Sequence, residues 1–197
     1  SQASPANIAK FVSGNVHGQT KVVFETSFAN ELGRLAQGVG TQMPEGSNTF
    51  FFKPWQEIPK DRKVTYGRIV VSIRLQKKEI PQTWLTVGGN LIHYPDNVST
   101  PTADLTTIKI LLNSVVSKPT AKFMTADVKN FYLNTPLKRP EYMRIPVKLV
   151  PQEIIDDYNL MPKVNNGFVY VEINKEMYSM PQAGILDNKH PARRPPQ

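Results

Sequence analysis

Apolar and polar residues alternate in several stretches of the chain, a spacing that is typical of strands with one buried face. One strand is predicted at Tyr66–Leu75, which is rich in β-branched residues, and a second near Gln82–Val87. Only a short polar turn, Gln76–Glu79, separates them, so the pattern predicts an antiparallel hairpin with a charged tip. Two more strands are predicted at Glu141–Pro146 and Gly167–Asn174.

Spacings of three and four residues predict helices instead. After at most a short strand at Lys21–Glu25, a helix is expected to begin at Ser27 as its N-cap and to stop at Gly38 and Gly40. Its apolar stripe consists of Phe28, Leu32, Leu35 and Val39. A second helix is expected from the start signals in Thr100–Asp104. Its apolar face consists of Leu105, Ile108, Leu112, Val115 and Val116.

Helices and strands alternate without the regular period of a doubly wound fold, so an α+β class is expected. Two further short helices are expected at Pro151–Tyr158 and Pro181–Asn188. All these elements fall within one domain, residues 27–188. An irregular arm, residues 1–26, is expected to precede it, and a Pro- and Arg-rich tail, residues 189–197, is not expected to pack.

The stretch 121–137 places one acidic side chain at the end of a largely apolar, alternating segment. Phe123, Thr125 and Asp127 are two residues apart and would share one face of a strand. A buried, unpaired carboxylate costs free energy, so Asp127 is expected to hold a cation or a metal ion, or to face a cleft. The alternative is a carboxylate that caps the turn after it.

Composition excludes several kinds of site. The chain has no cysteine, so disulfides and cysteine zinc sites are excluded. His17, His93 and His190 are far apart and lack metal-ligand spacing. No apolar run approaches the roughly 18 residues of a membrane span, and no secretory leader opens the sequence. A location in the cytoplasm or nucleus, with no membrane partner, is therefore expected.

The net charge is +8, and much of the excess lies within residues 53–78. The basic residues there are Lys53, Lys60, Arg62, Lys63, Arg68, Arg74, Lys77 and Lys78. Only Glu57 and Asp61 oppose them. Such a cluster on strand and turn residues indicates a binding surface for a polyanion. The alternative is an ordinary solvated surface.

Five short strings occur in one order along the chain. They are Arg-Ile-Val-Val-Ser-Ile-Arg (68–74), Leu-Thr-Val-Gly-Gly (85–89), Ala-Asp-Val-Lys-Asn-Phe-Tyr-Leu-Asn (126–134), Glu-Tyr-Met-Arg-Ile-Pro (141–146) and Met-Tyr-Ser-Met-Pro-Gln-Ala-Gly (177–184). Each string is weak alone, but the ordered series is specific. Over residues 28–188 it resembles the fingers and first half of the palm of copia-type retrotransposon reverse transcriptases. The resemblance implies a β-hairpin arm beside an incomplete antiparallel palm sheet.

The resemblance also implies residue roles for nucleotidyl transfer with two Mg²⁺ ions. Asp127 would be the first of three metal-binding aspartates, and the carbonyl of Val128 would face the second ion. Tyr132, next to Phe131, would pack under the incoming sugar and select deoxynucleotides, and Gln182 would lie against that sugar. Without the resemblance, Tyr132 is a core aromatic and Gln182 a helix-start amide.

The implied partners are an RNA template, a DNA primer and deoxynucleoside triphosphates. The hairpin residues expected to contact nucleic acid are Arg68, Arg74, Lys77 and Lys78. Trp84 stands where the family usually has a basic residue that grips the triphosphate, and an indole cannot pair with phosphate. Ser179 stands where the family usually has glycine, and a positive φ there would be strained.

The family's second and third metal ligands come from an aromatic-x-Asp-Asp turn downstream of the Gln182 string. The one adjacent pair here, Asp156 and Asp157, lies upstream of it in a segment that predicts an amphipathic helix. The sequence therefore predicts a truncated RNA-directed DNA polymerase that is inactive alone, because one carboxylate is a poor Mg²⁺ site. The missing palm and thumb segment would then come from another chain.

Two other hypotheses remain open from the sequence. One is a non-enzymatic nucleic-acid-binding fragment, in which Trp55, Tyr66 and Trp84 are available for base stacking. The other is the product of a decayed element without a selected function. Cooperative unfolding would argue against a decayed product. Half a palm exposes a strand edge and core surface, so a chain without a selected function is not expected to unfold cooperatively.

Overall fold

A computed structural model describes the chain over residues 18–73, 81–93, 104–124 and 132–181. The helices within these ranges are α1 (Gly18–Leu35), α2 (Leu105–Val116) and α3 (Gln152–Asp157). The strands are β1 (Phe50–Lys53), β2 (Val64–Ile73), β3 (Pro81–Val87), β4 (Pro136–Pro146) and β5 (Phe168–Lys175). None of these helices is long and apolar enough to cross a bilayer.

The five strands form one sheet in the order β1-β5-β4-β2-β3. β2 and β3 are antiparallel, with Val70 opposite Trp84, which confirms the predicted hairpin pairing. β2 and β4 run parallel, with Tyr66 opposite Arg144. The α+β class is thus confirmed, whereas the expectation of an antiparallel sheet is wrong at this pair. The strands of a parallel pair need a long connection, and here more than sixty residues separate β2 from β4.

Helix α1 begins at Gly18, so the predictions of a strand at Lys21–Glu25 and of an N-cap at Ser27 are wrong. Val22 and Val23 suggested a strand, but adding a residue to an existing helix gains a hydrogen bond, which outweighs a weak β propensity. The predicted apolar stripe is confirmed: Phe28, Leu32, Leu35 and Val39 are all buried. The helix ends at Leu35, and Gly38 follows with a φ of 117°.

The main core lies between one face of the sheet and helices α1 and α3. Leu32 of α1, Leu85 of β3 and Ile154 of α3 have no exposed surface and belong to one cluster. Val171 of β5 lies in the same cluster, beside the fully buried Met143 of β4. Burying an aliphatic side chain of this size stabilises the fold by about 1.5–3 kcal/mol. Both helices therefore cover the same side of the sheet.

The outer edge of β3 is closed by side chains and by one backbone carbonyl. The Thr83 N–H donates to Ser27 Oγ over 3.1 Å, and the Leu85 N–H donates to Glu31 Oε1 over 3.3 Å. The next outward N–H, that of Val87, donates to the carbonyl of Tyr178 over 3.1 Å. Alternate N–H groups of an edge strand point away from its partner and need acceptors. Ser27 thus anchors the hairpin to α1.

Helix α2 confirms the predicted second helix, but its apolar face has no buried residue within the described chain. Leu105 is 64% exposed and Leu112 is 43% exposed. Its N-cap is Asp104, whose Oδ1 accepts from the Thr107 N–H over 2.8 Å, and this bond lowers the pKa of the carboxyl. The spacing of apolar residues encodes the helix but not the surface it packs against.

Glu31 is a buried carboxylate whose pKa is raised. Burial is the main cause, and the nearby Arg34 guanidinium, 2.6 Å from Oε2, opposes it. The folded pKa of Glu31 lies above its ordinary value of 4.5, so folding favours the protonated form. Its contribution to stability is therefore largest below pH 4.5 and is lost as the pH rises through the folded pKa.

We expect the variant Glu31→Gln to gain stability relative to the wild type as the pH rises from 4 to 7, because glutamine has no proton to lose. Urea unfolding of both proteins across this range measures the difference, and the exposed Glu45→Gln is the control. A difference between Glu31→Gln and wild type that stays constant with pH would contradict the raised pKa.

Candidate functional site

Most residues that the sequence assigned to catalysis lie outside the described ranges. These are Asp127, Val128, Phe131 and Gln182, together with Arg74, Lys77 and Lys78 of the hairpin tip. Tyr132 begins a short 3-10 turn, Tyr132–Asn134, and Ala121–Met124 before the gap has no regular structure. The predicted strand is therefore not observed at 121–124, and the metal and nucleotide assignments stay predictions.

The Asp156–Asp157 pair serves the fold. Both residues lie on α3, as the predicted amphipathic helix requires. Asp157 Oδ2 accepts from the Gly40 N–H over 2.8 Å, and Asp156 Oδ1 accepts from Gln152 Nε2 over 2.8 Å. Over the described ranges, no three acidic or histidine side chains come together as a metal site. Asp157 thus fixes the loop after α1 onto α3, and Asp156 forms a bond within that helix.

Two of the five strings, about ninety residues apart in sequence, pack directly on each other. The first contact is the hydrogen bond from the Val87 N–H to the Tyr178 carbonyl. The second is a close approach of Gly89 to Ser179, since a Cβ at Gly89 would lie 2.1 Å from the Ser179 carbonyl oxygen. The same Cβ would lie 3.4 Å from Pro181, the residue before Gln182. The end of β3 and the segment leading to Gln182 are therefore neighbours.

Ser179 adopts a φ of 71°, which confirms the strained conformation expected at this position. The turn around it closes with the Met180 N–H donating to the Met177 carbonyl over 3.3 Å. An L-residue in the left-handed region costs roughly 1–2 kcal/mol, which glycine avoids. The contacts with Val87 and Gly89 hold the turn in this shape.

The sheet face opposite α1 and α3 carries aromatic and basic side chains. Residues opposite each other in neighbouring strands share a face, as do residues two apart in one strand. The part of this face between β3 and β4 consists of Tyr66, Arg68, Val70, Trp84, Thr86 and Arg144. We call these six residues the open face, since neither core helix covers them. Arg68, the one described residue of the predicted nucleic-acid set, is exposed there.

Tyr66 is held with one side against the backbone. A Cβ at Gly88 would lie 2.7 Å from its ring carbons, so the ring packs closely over this glycine. Its hydroxyl donates to Asn90 Oδ1 over 2.9 Å, and the Thr65 hydroxyl below donates to the Gly88 carbonyl over 2.7 Å. With 36% of its surface exposed, Tyr66 is a fixed aromatic surface beside solvent.

Arg144 is a functional candidate that sequence reasoning missed. It is exposed, and its guanidinium carbon lies 4.7 Å from the centroid of the Phe168 ring. A cation over an aromatic face is attracted to it and loses conformational freedom. The alternation within Glu141–Pro146 could have placed Arg144 on the polar face, but its proximity to Tyr66 depends on the parallel pairing of β2 and β4.

The segment between β1 and β2 covers the other half of this face. Trp55 packs against Tyr170 with ring centroids 4.8 Å apart, and Ile58 is buried beside Tyr142. Arg62 fixes the segment to β4 through a salt bridge, with its Nη2 3.1 Å from Glu141 Oε2. Trp55, which is 43% exposed, thus lies against β5 and outside the open face.

Among the described residues, acidic groups are sparse near the open face. Glu172 of β5 lies on the same side of the sheet, and its Oε2 accepts from the Tyr142 hydroxyl at 3.4 Å. Glu57 lies 3.3 Å from Lys53, at the β1 end. The basic side chains Arg68 and Arg144 therefore dominate the region between β3 and β4.

Comparisons of this chain with protein-family models, with curated proteins and with solved structures gave no match.

We expect Ser179→Gly to raise the free energy of unfolding by about 0.5–1 kcal/mol, because glycine adopts a positive φ without strain. Urea unfolding measures this change, and Ser72→Gly within β2 is the control, which should lose stability. A loss in Ser179→Gly as large as that of the control would contradict the strained turn.

Proposed function

We propose that this chain is a nucleic-acid-binding segment of the reverse-transcriptase kind, which binds template or primer strands through its open face. The observation that carries the proposal is the joint placement of Arg68 and Arg144 with Tyr66 and Trp84 on the side of the sheet opposite α1 and α3. Cationic groups attract the phosphates and aromatic groups accept the bases.

The polymerase kinship in this proposal comes from the ordered strings. It is supported by the packing of the string 85–89 against the string 177–181, since the resemblance assigns both to the surroundings of the incoming nucleotide. RNA template, DNA primer and deoxynucleoside triphosphates are the proposed partners. Tyr132 and Gln182 are the proposed nucleotide contacts.

The proposal assigns binding rather than unaided catalysis to these 197 residues. Asp127 would supply one carboxylate oxygen ligand and Val128 one carbonyl oxygen ligand. Mg²⁺ normally takes several more oxygen ligands than these. The adjacent aspartates do not complete the set: Asp156 is bonded within α3 and Asp157 to Gly40. In an intact site the ions would neutralise charge that develops on the transferring phosphoryl group.

We expect the 197-residue chain to bind a primed RNA template without extending it when Mg²⁺ and deoxynucleotides are supplied. A primer-extension gel measures this for the wild type and for Asp127→Asn. Extension by the wild type that is lost in Asp127→Asn would contradict a binding-only role and show that Asp127 is catalytic.

We expect Arg68→Gln and Arg144→Gln each to weaken binding to a mixed-sequence oligonucleotide and to lower the salt dependence. Each lost phosphate contact should reduce the slope of log affinity against log salt by about 0.7–1. Fluorescence anisotropy between 50 and 200 mM salt measures the slope.

The control for this measurement is Lys163→Gln, which changes a cation that follows α3 and donates to the Tyr158 carbonyl. It should leave the slope unchanged. A slope that falls equally in all three variants would mean that binding depends on net charge alone and would contradict the assignment to the open face.

A further inference from the structure

We infer that the open face takes unpaired bases, with Tyr66 and Trp84 each stacking on one base and Arg68 contacting the backbone between them. The ligand is then a single nucleic-acid strand, RNA or DNA, rather than a duplex. This inference rests on the proposed function and specifies that the bound nucleic acid is single-stranded.

The spacing of the two aromatic residues carries the argument. Trp84 lies opposite Val70, which is four residues along β2 from Tyr66. Four strand residues at about 3.3 Å each, with one neighbouring-strand step of about 4.8 Å, separate their Cα atoms by roughly 14 Å. Arg68 occupies the midpoint of that span on the same face.

This separation does not fit a stacked helix. Successive bases on one strand of a duplex lie about 3.4 Å apart, and their faces are covered by their neighbours. Aromatic side chains reach base faces only where the strand is splayed open. Two aromatic residues whose Cα atoms lie about 14 Å apart, with a cation between them, therefore suit two separated bases of an unpaired strand.

Both aromatic residues are suited to stacking. Tyr66 is immobilised by its contact with Gly88 and its hydrogen bond to Asn90, so little side-chain freedom remains to be lost on binding. Trp84 is half-buried on the edge strand β3. An indole cannot pair with phosphate, but it offers the largest aromatic surface for a base. A tryptophan here favours a base over a triphosphate.

The charge of the open face also favours a single strand. Arg68 and Arg144 are its two cations, whereas a protein that holds a duplex through phosphates alone uses many more. The two cations attract any nucleic acid, so the preference for unpaired strands comes mainly from the two stacked bases. It should be tolerant of sequence, because every base has an aromatic face.

The test compares fluorescein-labelled 12-nucleotide oligo-dT and oligo-rU with a blunt 12-base-pair duplex, by anisotropy at 50 mM salt. We expect each single strand to bind at least tenfold more tightly than the duplex. Trp84→Leu and Tyr66→Leu should each weaken single-strand binding about 5- to 100-fold and leave the weak duplex binding unchanged. The RNA and DNA arms show whether the 2′-hydroxyl contributes.

Trp55→Leu is the matched control, because Trp55 packs on Tyr170 outside the open face. It should leave single-strand binding within twofold of wild type. The chain has two tryptophans, so oligo-dT should quench tryptophan emission in Trp55→Leu but not in Trp84→Leu. Circular dichroism of each variant shows whether it is folded. Trp84→Leu and Tyr66→Leu test the inference independently of each other.

Equal affinity for duplex and single strand, or undiminished binding by folded Trp84→Leu and Tyr66→Leu, would overturn this inference. The proposed function would survive that result if Arg68→Gln and Arg144→Gln still lowered the salt slope. No binding of any nucleic acid at 50 mM salt would overturn both. Strong duplex binding that depends on α2 would likewise place the interface elsewhere.

Discussion

The closed outer edge of β3 is the constraint on which the rest of this structure depends. Ser27 and Glu31 of α1 accept two of its outward N–H groups, and the carbonyl of Tyr178 accepts the third. These bonds fix the hairpin against α1 on one side and against the turn at Ser179 on the other. They place α1 on the side of the sheet opposite the open face.

The same edge links stability to the proposed site. Satisfying the Leu85 N–H requires a buried carboxylate, Glu31, whose burial is unfavourable for its charged form and is offset only in part by Arg34. Fitting Gly89 beneath the turn requires a positive φ at Ser179. Strain at such positions persists where surrounding contacts fix the backbone, and it is frequent near functional sites. Here it lies beside the segment that leads to Gln182.

Local patterns predicted the elements, and long-range pairing decided what they form. The β-branched residues of β2 and the stripe from Phe28 to Val39 were readable from the sequence, and the strain at Ser179 followed from the resemblance. The start of α1 was not readable, because cooperative helix growth overrides the strand preference of two valines. The cluster of Tyr66 with Arg144 was not readable either, since it depends on a parallel pairing of distant strands.

The most direct test of the account maps where a bound strand touches the protein. Ultraviolet cross-linking of a 4-thiouridine-containing oligo-rU, followed by peptide mass spectrometry, identifies the contacted residues. The account predicts cross-links concentrated in β2 and β3, at Tyr66 and Trp84. Cross-links confined to α1, α3 or the exposed helix α2, with none on these two strands, would contradict it.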